Sequence, residues 1–138
     1  MSGSLGENWP KFERGFRALI GKLRDIPHVE RIVIVGPIAD LSAKLPSAIF
    51  VRDFGLASLA LDVPTEMFMA RNAKIMQLLA ATEGGKITVV WPHKALCDGE
   101  WCRTVRNDEL LYFDDNHLSL AGARLVAPLL SVVFETND

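Results

Sequence analysis

The chain has 138 residues, of which 49% are hydrophobic and 23% charged, enough apolar content for one domain with a real core. Its formal net charge is −2 and its Lys and Arg residues are scattered, so no nucleic-acid partner is expected. No apolar run reaches the length of a membrane span, and Met1 to Glu7 lacks the basic-then-apolar pattern of a signal peptide.

Residues 1–8 read as a flexible leader, 9–134 as one domain and 135–138 as a tail. The spacing of Phe12, Phe16, Leu19, Ile20 and Leu23 predicts a helix from Trp9 to Arg24 with one apolar stripe, Asn8 as its cap and Pro10 in its first turn. Arg31 to Gly36 is a β-branched run without polar alternation, which predicts a strand of a parallel sheet with both faces buried. Ile38 to Pro64 has mixed content and no clear period, with room for a short helix or two. Thr65 is placed to cap a second helix that runs to Thr82, buries Phe68, Ile75, Leu78 and Leu79, and stops at Gly84-Gly85. Met67, Met69 and Met76 on that helix read as core packing rather than a cofactor site. Lys86 to Trp91 is a second buried strand, closed by Pro92. Ser119 is a good N-cap for a last helix with a stripe of Leu120, Ala123, Ala127, Leu130 and Phe134, bent near Arg124 to Pro128 because a proline inside a helix breaks its hydrogen bonding. Helices alternating with strands predict an α/β fold with a parallel sheet, although two strands alone leave edges unpaired.

Three polar groupings bear on chemistry. Asp114 lies three residues before His117, where a turn can bring its carboxylate to imidazole Nδ1, fix the tautomer and leave Nε2 free to take a proton. The same residues also serve as turn formers and caps, with His117 a surface bystander. Cys97 and Cys102 lie five apart, close enough for a small disulfide loop in an oxidising compartment and equally compatible with two reduced thiols. His93, Cys97, Cys102 and His117 as a zinc set match no compact finger spacing, and such a site would take His117 from Asp114, so no metal or cofactor is expected.

The string from Leu111 to Ala123, with Asp114-x-x-His117 followed by Gly122, resembles the last block of the SGNH, or GDSL-like, hydrolases. More narrowly, it is similar to the SGNH domain fused to membrane acyltransferases that O-acetylate bacterial surface polysaccharides. A short cysteine pair precedes the block there too, and the strand ending Val35-Gly36-Pro37 and the helix opening at Trp9 are also alike. The resemblance implies a three-layer α/β/α, flavodoxin-like parallel sheet and a Ser–His–Asp triad acting on an acyl ester. It implies His117 as general base, Asp114 as its orienting acid, Ser119 and Gly122 as structural residues that open the last helix, and Cys97–Cys102 as a disulfide. Its implied partners are an acylated carbohydrate and an acyl donor from a membrane acyltransferase domain, in the periplasm or outside the cell.

The chain departs from this pattern at the nucleophile. It has no Gly-Asp-Ser motif, Ser2 and Ser4 have no strand before them, and Asn8 and Asn72 fit no oxyanion position. The expectation is therefore the C-terminal part of an SGNH-like domain without its N-terminal strands, inactive alone, with a homodimer or a missing N-terminal portion covering the sheet edge. The competing expectation is a non-catalytic SGNH-like module that binds a glycan or a partner.

Overall fold

A computed structural model describes residues 5–41 and 61–134. The expected short helices between Ile38 and Pro64 fall largely outside these residues, as do Ser2, Ser4 and the tail.

Helix α1 spans Leu5–Arg24, so it starts four residues before Trp9, with Asn8 inside it rather than capping it. Strand β1 is Ile32–Val35. The two-residue strand β2, Val63–Pro64, runs straight into α2, Thr65–Thr82. Thr65 is the first helical residue and does not cap; its hydroxyl donates instead to the Asp98 carbonyl at 2.9 Å. Gly84 (φ 128°) and Gly85 (φ 57°) take the positive dihedrals that turn the chain from α2 into β3, Ile87–Val90. Helix α3 is the single turn His93–Leu96. Three short strands follow: β4 (Trp101–Cys102), β5 (Val105–Arg106) and β6 (Glu109–Leu110). Asn107 (φ 51°) and Asp108 (φ 61°) join β5 to β6 by a two-residue turn with both central residues left-handed, the form that matches the twist of a hairpin. Helix α4, Leu120–Val126, passes into a 3₁₀ segment, Ala127–Val133. The change falls where the bend was expected, because Pro128 has no N–H to donate to the Arg124 carbonyl.

Strands β1 and β3 pair in parallel from Ile32↔Ile87 to Val35↔Val90, with α2 between them in the chain. This β–α–β arrangement is consistent with an α/β fold. Among the described residues, however, the parallel sheet has two strands, and the other pairings (β2–β4 and β5–β6) are antiparallel. The expectation of a β1 buried on both faces is not met: Ile32, Val33 and Ile34 are half-buried and Val35 is 54% exposed. The Ile32 amide donates to the Lys86 carbonyl just before β3 and the Gly36 amide to Val90 at its end, so alternate residues of β1 present their amides to its other edge. β3, with Ile87, Val89 and Val90 buried, behaves as predicted.

The two amphipathic helices also face differently from expectation. Helix α1 lies beside α2: Trp9, Arg17 and Ile20 share surface hollows with Leu78 and Ala81, and the Arg24 guanidinium donates to the Thr82 carbonyl at 3.2 Å. Of its predicted stripe only Ile20 is buried, while Phe12 and Leu19 are about half exposed. Along α4 and the 3₁₀ segment, Leu120, Ala123, Ala127 and Phe134 of the expected stripe are exposed and Leu130 is half-buried, while Gly122 and Val126 are buried instead. On α2 Phe68, Leu78 and Leu79 are buried as expected, Ile75 is half-buried and Thr82 joins the buried side. Met76 packs against the core, but Met67 and Met69 are exposed.

The main hydrophobic cluster sits away from the parallel pair. It joins Leu41, Val63, Phe68, Leu96, Cys102, Leu111, Tyr112 and Val126 beneath the cysteine loop and the Asp–His segment. Truncating Phe68, which is 1% exposed, to alanine is expected to cost about 3–5 kcal/mol by denaturant unfolding. Phe12→Ala on the uncovered face of α1 is expected to change stability by about 0.5 kcal/mol or less.

Candidate active site

Residues 113–118 form a closed loop. Tyr112 and Leu118 make a β-bridge at its base, and the Phe113 amide donates to the His117 carbonyl at 2.7 Å. Inside it, Asp114 Oδ1 accepts the amides of Asn116 (3.0 Å) and His117 (2.7 Å), an aspartate-stabilised turn. The same carboxylate meets the imidazole, with His117 Nδ1 2.7 Å from Oδ2 and 2.9 Å from Oδ1. One carboxylate therefore both forms the turn and contacts the imidazole. The His117 side chain is 74% exposed, and Nε2 is left out of the pair.

The loop is seated from below. Leu111 and Tyr112 are each 2% exposed. The Leu111 amide donates to the Thr104 carbonyl at 2.8 Å, and its own carbonyl accepts the Ser119 amide at 2.9 Å. Ser119 caps α4 as expected: its Oγ accepts the Gly122 amide at 3.2 Å and donates to the Leu110 carbonyl. A Cβ on Gly122 would lie 2.0 Å from the Leu111 oxygen, so only glycine lets the helix come this close. The Leu41 amide donates to the Asp115 carbonyl at 2.8 Å, which brings the chain leaving β1 to the loop. The pair thus lies beyond the carboxyl end of a parallel strand, where open α/β sheets carry their sites.

Cys97 and Cys102 are joined in a disulfide, and the Cys102 end is buried in the core. With both sulfurs so bonded, the four-residue zinc set is not available in this state. His93 packs its ring against Phe68 and Trp91, and burial, with Lys94 nearby, pushes its pKa below the usual histidine value. Within the disulfide loop Asp98 accepts the amides of Glu100 and Trp101 at 2.8 and 2.7 Å and binds Arg103. Arg103 reaches on to Asp62 at 3.1 Å, and Asp62 Oδ1 accepts both the amide and the hydroxyl of Thr104 at 2.8 Å. Asp62 was missed in the sequence. Its one signal there is a lone acid in the apolar run Leu61-Asp62-Val63.

Residues 4–131 match the model of the SGNH domain found fused to AT3 domains. The chain belongs to that family. No curated protein and no solved structure matches it. In this SGNH domain the serines among the described residues are Ser119 and Ser131, and the Ser119 hydroxyl is taken up by backbone contacts. Asn72 donates to the Phe68 carbonyl within its own helix at 2.9 Å. No helix of the described residues is long and apolar enough to cross a membrane.

Two predictions follow from this geometry. Gly122→Ala must move the Leu111 backbone, and is expected to lose about 3 kcal/mol of stability, the upper part of the range for overpacking, by denaturant unfolding. The Trp101 and Glu100 amides, then Arg103, hold the Asp98 carboxyl down to about 2, and the Asn116 amide, helped by His117, holds Asp114 below its ordinary value of 3.8. Depressed folded values mean that each turn is fully stabilised above the ordinary value and loosens as pH falls through the folded one. Carbon-13 carboxyl titration is expected to place the Asp98 midpoint near 2 and that of Asp114 below 3.8, with the Trp101 and His117 amides moving in step. Midpoints at or above 3.8 contradict this.

Proposed function

We propose that this SGNH domain supplies the acid–base half of a serine acyl-transfer site, with His117 as general base and Asp114 as its orienting acid. The observation that carries this reading is the 2.7 Å contact between His117 Nδ1 and Asp114 Oδ2. A carboxylate there holds the proton on Nδ1 and stabilises the imidazolium that forms when Nε2 accepts a proton. In the reaction, Nε2 takes the proton of a serine hydroxyl as its oxygen attacks the acyl carbonyl. The ester bond breaks, the leaving alcohol takes the proton from Nε2, and the acyl group is left on the serine; water or a sugar hydroxyl then gives its proton to Nε2 and attacks that acyl group, and the departing serine oxygen takes the proton back. The sequence holds no Gly-Asp-Ser, so the serine and the oxyanion donors come from a segment outside the residues described, and this chain by itself turns over little substrate.

Family membership supports acyl, and specifically acetyl, esters of cell-surface carbohydrate as substrates, and a membrane acyltransferase domain as the acyl donor. The disulfide supports an oxidising location, the periplasm or cell exterior. The half-buried β1, bonded to β3 on one side, supports a three-layer sheet completed by further strands from an N-terminal portion or a second copy. A non-catalytic partner-binding role draws its support from the exposed apolar side chains Phe113 and Leu120 beside the pair.

The test is hydrolysis of a short-chain aryl acetate. The chain alone is expected to stay near background. Joined to a segment that bears the nucleophile, it should gain turnover that His117→Ala lowers by about 10⁴-fold or more. Robust turnover by the chain alone, abolished by His117→Ala, refutes the missing nucleophile; turnover of the joined protein indifferent to His117→Ala refutes the general base.

A further inference from the structure

Asp62 is a buried charge that the proposed chemistry does not use. Its side chain is 4% exposed, and isolating a carboxylate from water is costly unless donors surround it. Those donors are the Arg103 guanidinium and both donor groups of Thr104, itself 1% exposed. Thr104 is also the residue whose carbonyl accepts the Leu111 amide. Leu111 in turn holds both limbs of the Asp–His loop: it precedes Tyr112 and Phe113 on one side, and its carbonyl receives Ser119 on the other. The loop's base is therefore referred, through Leu111 and Thr104, to one carboxylate.

We propose that Asp62 is a positioning residue for the Asp114–His117 pair, acting through Thr104 and Leu111; this rests on the reading of that pair as an acid–base unit. A displacement of Thr104 is passed to Leu111 and to the Tyr112–Leu118 bridge, and so to the closing bond from Phe113 to His117. The imidazole contact is sensitive to such shifts, because a hydrogen bond weakens steeply as its angle closes. Arg103 pairs with Asp62 and joins it to the disulfide loop through Asp98.

The readout is the tautomer of His117, from imidazole nitrogen-15 shifts of the full chain at a pH where the ring is neutral, assigned with His117→Gln. Wild type is expected to show the Nδ1–H form. Asp114→Ala should revert to the Nε2–H form of a free imidazole; if it does not, the acid–base reading and this proposal fall together. Asp62→Ala is expected to lose the single Nδ1–H form while keeping a folded amide spectrum, and Asp62→Asn to retain it, because the amide oxygen still accepts from Thr104. A folded Asp62→Ala with the wild-type tautomer, where Asp114→Ala has lost it, overturns the positioning role alone. Should Asp62→Ala not fold, Asp62→Asn decides: an Nε2–H form in that folded variant overturns the route through Thr104, and the Nδ1–H form upholds it.

Discussion

One carboxylate, that of Asp114, both makes the turn and holds the imidazole. It accepts two successive backbone amides and the Nδ1 edge of His117. The backbone bonds hold the carboxylate independently of the imidazole, so one partner of the side-chain pair is already placed. That matters on an exposed loop, where a lone ion pair contributes little because ordering two side chains offsets the attraction. Here the ordering is shared with the turn, and only the imidazole remains to be oriented.

The turn itself depends on what lies under it. The core cluster gathers beneath the motif and the disulfide loop, not around the parallel strands. Leu111 is the point of contact between that core and the loop. Its amide, its carbonyl and the space above its carbonyl are each used, by Thr104, Ser119 and the missing side chain of Gly122. Strand β1 and α1 are, by contrast, thinly covered, with Val35, Phe12 and Leu19 about half exposed. The domain is most tightly built where the Asp114–His117 pair is carried.

The uneven packing explains what could be read in the sequence. The Asp114–His117 contact, the Ser119 cap and the need for glycine at 122 are short-range, and spacing together with family likeness was enough to find them. The extent of α2 and the break at Pro128 were legible for the same reason. Periodicity also revealed apolar faces on α1 and α4, but it carries no information on what each face meets. Helix α4 approaches through its smallest residue, which turns Leu120 and Phe134 away. Asp62 was illegible because its partners Arg103 and Thr104 lie 41 and 42 positions on, and nothing local marks a carboxylate for burial.

Exposure of His117 and the engagement of the Ser119 hydroxyl by backbone groups, among the described residues, belong to the same geometry. The imidazole is 74% exposed, Phe113 beside it 78% and Leu120 beyond it 69%. An acid–base pair facing bulk water has its attraction screened, whereas the same contact under a cover acts in a lower dielectric and is far stronger. A segment that closed over Phe113 and Leu120 would gain their apolar area and desolvate the pair in one step. If that segment also bore the attacking hydroxyl, proton acceptor and nucleophile would come under one cover together, and neither would be competent before the other had arrived. The open surface around the loop is what such an arrangement requires of the half that carries the histidine.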